Sequence, residues 1–140
     1  KNGVPYSLWQ SPGNPIHKLQ WQLAHKIIDL FKKAKERQDK NIETGQKLLD
    51  RALASDKFWW ASMRPWWDHE IIIRESKELL TVINHLETLS EKEVISAQKI
   101  LAKLINLTDQ WQVSGRAKEN IKNYLNKIGF VPKMGGEKII

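Results

Sequence analysis

Apolar residues recur at helical spacing along most of the chain, in five stretches separated by turn signals. The first stretch follows Asn14-Pro15, which fits a helix N-cap followed by proline at the first helical position. Steps of three and four residues then predict an amphipathic helix that fades near Gln38. Its inward residues are expected to be Ile16, Leu19, Leu23, Ala24, Ile27, Ile28, Leu30, Phe31 and Ala34.

The same spacing predicts four further helices, with boundaries set by local signals. The second covers about 42–54, and Gly45 is expected to weaken its first turns. Asp68 is a suitable N-cap for the third, and Ser90 with Glu93 forms the capping-box pattern that opens the fourth. The fifth covers about 116–128, with Gly129 as a natural residue beyond its end.

The apolar positions of these four helices define the predicted core. The expected inward residues are Leu48, Leu49, Ala52 and Leu53 in the second; Ile71, Ile72, Leu79, Leu80, Ile83 and Leu86 in the third; Val94, Ile95, Leu101, Leu104 and Ile105 in the fourth; and Ala117, Ile121, Tyr124, Leu125 and Ile128 in the fifth.

Short connections and the lack of convincing strand alternation favour an all-α fold. We expect an antiparallel bundle of four to five helices, with an irregular N-terminal segment and a C-terminal tail. Residues 1–140 form a single helical domain whose core spans about 14–129. A chain of this length buries roughly two thirds of its unfolded surface and needs no metal to fold. It begins at Lys1 rather than Met, which suggests a piece of a longer chain.

Composition narrows the function classes. The chain has no cysteine, which excludes disulfides and thiolate sites and mildly favours the cytoplasm. It shows no signal peptide, no membrane-length apolar run and no glycine-rich phosphate loop, so we expect neither membrane insertion nor a cofactor. The net charge of +7 keeps a nucleic-acid-binding module open as an alternative. The densest basic run, Phe31 to Lys40, is interrupted by Glu36 and Asp39.

Histidine spacing does not favour a metal site. The sequence "HEIII" begins like a zinc-protease helix, but Ile73 stands where the second histidine is needed. His17, Trp21 and His25 lie four residues apart on one broad helical face, where His17 and Trp21 are candidate surface residues. The two histidines are about 12 Å apart along the axis, too far to bind one ion. We expect them to flank the bundle edge and hydrogen-bond locally.

The segment "SDKFWWASMRPWW" holds four of the seven tryptophans in two adjacent pairs, Trp59–Trp60 and Trp66–Trp67. Neighbours on a helix point about 100° apart, so each pair should place one ring inward and the other outward. An exposed indole suits a sugar, a base or a partner protein. The alternative is that all four pack in the core.

Polar residues in and beside this segment complete the set of surface candidates. Asp56 and Arg64 lie within it and make it too polar to be entirely core. Asp56, Asp68 and Glu70 could suggest glycosidase carboxylates. However, Asp56 and Asp68 stand at probable N-cap positions, where aspartate is favoured for its hydrogen bonds to free N–H groups. We therefore assign no catalytic residue.

Two stretches resemble proteins related to glycoside hydrolase family 57. "SDKFWWAS", after the helix "GQKLLDRALA", and "LWQSPGNPIHKLQW" are similar to the helical region that follows a distorted (β/α) barrel in that family. The resemblance covers about residues 8–86. It implies that Ser55, Asp56, Trp59 and Trp60 contribute to the wall of the sugar cleft or to the packing beneath it.

Three functions follow as expectations. The first is an accessory helical domain of a carbohydrate-active protein, which contacts sugar or an adjacent barrel domain through its tryptophans. The resemblance places the catalytic carboxylates on the barrel, so the isolated domain would not be a hydrolase. The alternatives are a basic nucleic-acid-binding module and a non-catalytic protein-interaction bundle.

Overall fold

Five α-helices pack together in a computed structural model, which describes residues 13–54, 59–63 and 66–129. No strand occurs in these ranges, and the predicted all-α class is confirmed. A short 3₁₀ turn, Trp59–Ala61, precedes the third helix. The helices are α1 (Pro15–Glu36), α2 (Ile42–Leu53), α3 (His69–Asn84), α4 (Glu91–Val113) and α5 (Arg116–Lys127). The predicted N-terminal segment and C-terminal tail lie outside the described residues.

The helix starts follow the capping signals in the sequence. The Asn14 side chain accepts hydrogen bonds from the N–H groups of Ile16 and His17, at 3.0 and 3.1 Å. Asp68 caps α3 in the same way. Ser90 and Glu93 form the complete capping box, each side chain bonding the other residue's backbone N–H. These caps satisfy donors that the first helical turn leaves free.

Contacts between helix ends fix the directions of the helices. Arg37, at the end of α1, contacts Glu93 at the start of α4. His69, at the start of α3, contacts Asp109 near the end of α4. Helix α4 therefore runs antiparallel to both α1 and α3, in agreement with the predicted antiparallel arrangement.

Two apolar clusters form the core. The larger joins α1, α2, α3 and α4 and includes Leu23, Leu79 and Leu101. The smaller includes Ile72 and Trp111 and is packed by residues of the tryptophan segment. Together they bury the inner faces of all five helices.

Three predicted core residues face solvent instead. Leu53 is 38% exposed because it is the last residue of α2. Ile95 is 38% exposed because it lies on the side of α4 away from Ala97 and Leu101, which face the core. Ile128 is 56% exposed because α5 ends one residue earlier, at Lys127. Periodicity places none of the three correctly, since each lies at the end of a helix or at the margin of an apolar stripe.

The prediction for His17 is also wrong. His17 is completely buried rather than at the bundle edge, because its part of α1 faces inward between Ile16 and Leu23. Gln20, Ser76 and Thr108 are completely buried as well. In α1, His17 and Gln20 lie between Ile16 of the smaller cluster and Leu23 of the larger one. In α3, Ser76 likewise separates residues of the two clusters. Buried polar groups of this kind favour one packing arrangement over its alternatives.

Gly45 has a role that helix propensity does not reveal. A Cβ atom there would lie 3.2 Å from both the Phe31 ring and the Leu86 side chain. The missing side chain lets α2 approach α1 and the end of α3 closely. Glycine within a helix lowers its stability, but at this position it also allows the closer packing.

A buried carboxylate joins the two turns at one end of the bundle. Asp39, in the α1–α2 turn, is only 3% exposed. It accepts hydrogen bonds from the N–H of Asn41 at 2.9 Å and from the N–H groups of Glu87 and Thr88, each at 2.8 Å. The Thr88 hydroxyl donates a fourth at 2.8 Å. Burial alone would raise the pKa of Asp39, but these hydrogen bonds outweigh it and lower the pKa.

A second acidic residue ties the same turns together from outside. The Arg37 guanidinium donates to both carboxylate oxygens of Glu93 and to the carbonyl oxygen of Thr88. The bond from Arg37, together with the Ser90 N–H, holds the pKa of Glu93 at about 2. Arg37 and Glu93 thus reinforce the link that Asp39 makes between the turns.

We expect Asp39→Asn to lower the free energy of unfolding by about 2 kcal/mol or more. The amide offers a single acceptor oxygen to four donors and directs its own N–H groups at them. Urea denaturation at pH 7 measures the change. The control is Asp29→Asn on the exposed face of α1, which should alter stability by less than about 0.5 kcal/mol. Equal effects of both variants would contradict the role of Asp39.

Acid should weaken the fold through these same carboxylates. The pKa values of Asp39 and Glu93 are lower in the folded than in the unfolded chain. Their contribution is therefore complete above the unfolded pKa, and for Glu93 it disappears as pH falls from about 4.5 to about 2. The urea midpoint of the wild type should decline over this window. The double variant Asp39→Asn, Glu93→Gln should show a shallower decline, and an unchanged slope would refute the assignment.

Candidate functional site

The tryptophan segment lies at the end of the bundle opposite Asp39, where α1 and α3 begin and α4 ends. We call this region the tryptophan end and define it by Trp60, Trp66, Trp67 and Trp111. Trp111 belongs to the smaller apolar cluster, and Trp60 and Trp67 pack against that cluster. The region therefore combines indoles from the tryptophan segment with one from α4.

Hydrogen bonds to backbone carbonyl oxygens of the segment hold it against α1 and α3. The Asn14 side-chain amide donates to the carbonyl oxygen of Ala61 at 2.7 Å, so the cap of α1 also binds the 3₁₀ turn. The Asp68 N–H donates to the carbonyl oxygen of Trp60 at 3.0 Å. The start of α3 is thus attached to the same turn.

Met63 occupies the bend between the two tryptophan pairs. Its φ is +59°, a left-handed conformation that costs a non-glycine residue about 1 kcal/mol or more. Its N–H donates to the carbonyl oxygen of Trp66 at 2.6 Å, and its side chain is buried. The Asn120 amide of α5 lies 3.7 Å from its sulfur. Burial and these contacts hold the strained bend in place.

The two rings of the second tryptophan pair differ in exposure and in their contacts. Trp66 is 40% exposed. Its ring meets Trp60 edge to face, with centroids 5.7 Å apart and planes at 81°. Trp67 is half-buried, and its Nε1–H donates to Oε1 of Gln112 at 2.7 Å. In the first pair Trp60 is half-buried, while the side chain of Trp59 lies outside the description.

A second polar contact joins α3 to α4 beside Trp67. Nε2 of His69 lies 2.5 Å from Oδ1 of Asp109. The sequence separation of 40 residues explains why spacing did not reveal this pair. Together with the bond from Trp67 to Gln112, it fixes the start of α3 on the last turns of α4.

A groove of about 600 Å³ lies between the end of α4 and the start of α5. Val113, the last residue of α4, is 87% exposed at this groove. The Arg116 guanidinium lies 4.9 Å from the centre of the Trp111 ring, a distance that allows a cation–π contact. The lining residues are Asp109, Gln110, Trp111, Val113, Ser114 and Arg116.

Sequence reasoning missed this groove because its chemistry depends on a chain reversal. Gly115 adopts φ +80°, which turns the chain sharply and places Arg116 back over Trp111. A smaller depression of about 310 Å³ lies on the other side and shares Ser114 and Arg116 with the groove. Helical spacing in the sequence does not indicate that Arg116 and Trp111 meet across this glycine.

Of the remaining predicted surface residues, His17 and Trp21 do not join the tryptophan end. His17 is buried, and Trp21 packs half-buried against the larger cluster with its ring edge on to His25, at 6.0 Å. Asp56 and Arg64 lie outside the described residues. The site therefore consists of Trp60, Trp66 and Trp67 from the prediction, together with residues of α4 and α5.

Within the described ranges, no three His, Asp or Glu side chains are placed to hold a metal ion. None of the described helices is both long and apolar enough to cross a membrane. No family model, curated protein or solved structure matches this chain. The resemblance to glycoside hydrolase family 57 rests on the quoted motifs alone.

The opposed roles of Trp66 and Trp67 can be tested by alanine substitution. Trp67→Ala removes a half-buried ring and its bond to Gln112, and should lower the free energy of unfolding by about 2–3 kcal/mol. Trp66→Ala removes the more exposed ring and should cost less than half as much. Urea denaturation compares the two variants, and a larger loss for Trp66→Ala would reverse the assignment.

Proposed function

We propose that this chain is a non-catalytic accessory domain of a carbohydrate-active protein, with the tryptophan end as its sugar-contacting surface. The observation that carries the proposal is the exposed indole of Trp66, supported edge to face by Trp60. A flat apolar ring with a polar N–H suits the face of a sugar ring. Because Trp60 constrains Trp66, less side-chain entropy is lost when a ligand binds.

The groove at the tryptophan end supports the same function. It is an open depression of about 600 Å³ on the protein surface. Gln110, Ser114 and Arg116 bring hydrogen-bonding groups to its lining, and Val113 provides exposed apolar surface, while Trp111 is largely buried beneath Arg116. Apolar surface with a few polar groups is typical of ligand sites.

The carboxylates of this region favour binding rather than hydrolysis. Asp68 accepts a hydrogen bond from the Ile71 N–H at the start of α3, and Asp109 contacts His69. Both groups already have structural partners. The resemblance likewise implies that hydrolysis belongs to a separate barrel domain, and the cytoplasm remains the location expected from the absence of cysteine.

The basic run gives the nucleic-acid alternative less support than its charge suggests. Lys33 and Arg37 lie 3.6 and 2.9 Å from Glu93, and Lys40 lies 3.2 Å from Glu87. These cations contact acidic residues around the turns that Asp39 joins. Their positions are explained by the fold without a phosphate ligand.

Titration with neutral α- and β-linked gluco-oligosaccharides of three to six units tests the proposal through tryptophan fluorescence. We expect saturable changes with dissociation constants in the micromolar to millimolar range. Trp66→Ala should weaken binding by about tenfold, a loss of about 1.4 kcal/mol.

The matched control is Ile128→Ala, which removes another exposed apolar side chain at the far end of α5. It should leave the affinity unchanged. No fluorescence change up to about 10 mM of any of these sugars, a limit near −2.7 kcal/mol of binding energy, would refute sugar contact. The tryptophan end would then be a packing surface only.

A further inference from the structure

We propose that the groove between α4 and α5 selects sugars that carry a carboxylate, such as uronic acid units, through Arg116. This inference rests on the proposed function and names the class of ligand. The inference comes from the position of Arg116, the one cationic residue in the described lining of a groove that also exposes apolar surface. Arg116 is the residue that would determine specificity.

The Arg116 side chain is available for an anionic ligand. Among the described residues, no carboxylate lies within ion-pair distance of its guanidinium. One face of that group lies over Trp111, which leaves its N–H edges for other contacts. A planar guanidinium offers two parallel donors to a carboxylate. Stacking on the indole also limits the conformations that Arg116 would lose on binding.

Two acidic residues lie near Arg116 without pairing with it. Asp109 lines the groove but contacts His69, and Glu119 lines the neighbouring depression. The net charge of +7 attracts anions toward the domain. Arg116 is therefore the cation in this groove that a ligand carboxylate would contact.

The apolar part of the groove indicates that the carboxylate belongs to a ring-containing ligand. Val113 is exposed in the same groove as Arg116, Trp111 lies largely buried beneath the guanidinium, and Trp66 lies at the same end of the bundle. A uronic acid presents both a ring face for such surfaces and a carboxylate for the guanidinium. A neutral sugar would use only the first of these contacts.

The test compares oligogalacturonides with neutral gluco-oligosaccharides of equal length. Wild type should bind the oligogalacturonides about tenfold more tightly at 20 mM NaCl, a preference worth about 1.4 kcal/mol. At 500 mM NaCl this preference should shrink through screening. Arg116→Gln should reduce it to within about twofold, because the oligogalacturonides lose much more affinity than the neutral sugars when the guanidinium is removed.

Two variants serve as controls. Lys99→Gln changes the net charge by the same amount at an exposed position on α4, about 20 Å along the helix from Val113. It should keep the preference for oligogalacturonides. Trp66→Ala should weaken the binding of charged and neutral sugars alike, because it acts through the ring face.

The outcomes separate this inference from the proposed function. Binding of neutral sugars with no preference for oligogalacturonides would overturn the role of Arg116 and leave the proposed function standing. Failure of both sugar classes to bind would refute both. If single-stranded DNA competed equally well and with the same dependence on Arg116, the groove would be a general polyanion site and the inference would be wrong.

Discussion

The hydrogen-bonded carboxylate of Asp39 is the interaction on which this bundle depends most. One side chain satisfies backbone N–H groups from two turns that are nearly fifty residues apart in sequence. Removing a charge from water is costly, and only a full set of donors offsets that cost. Asp39 therefore fixes how the α1–α2 turn sits on the α3–α4 turn. It also sets the relative positions of the helices that reach the opposite end.

The two ends of the bundle consequently have different chemistry. At the Asp39 end, Arg37 and Glu93 have partners across the turns, and these partners explain why they are there. At the tryptophan end, Trp66 and Val113 expose apolar surface, and Arg116 contacts an indole instead of a carboxylate. Contacts within the fold explain the residues at the Asp39 end but not the exposed residues at the tryptophan end. This difference supports the proposal that the function lies at the tryptophan end.

Features governed by near neighbours in sequence could be predicted. The caps at Asn14, Asp68 and Ser90 depend on residues within three positions, and each forms as expected. Features governed by distant partners could not. The burial of His17 depends on how α1 packs within the bundle, and the need for Gly45 comes from Phe31 and Leu86. Periodicity describes a helix face but not which part of it a neighbouring helix covers.

The candidate site also combines features set by near neighbours in sequence with features set by distant partners. Helical geometry predicts that Trp66 and Trp67 diverge; the structure places both in an irregular segment before α3, with Trp66 exposed and Trp67 half-buried. The divergence has a consequence for binding, because Trp67 attaches the segment to Gln112 while Trp66 remains accessible. A single exposed indole offers little contact area by itself. We therefore propose that recognition also uses the groove between α4 and α5, where Gly115 turns the chain and Arg116 lies over Trp111.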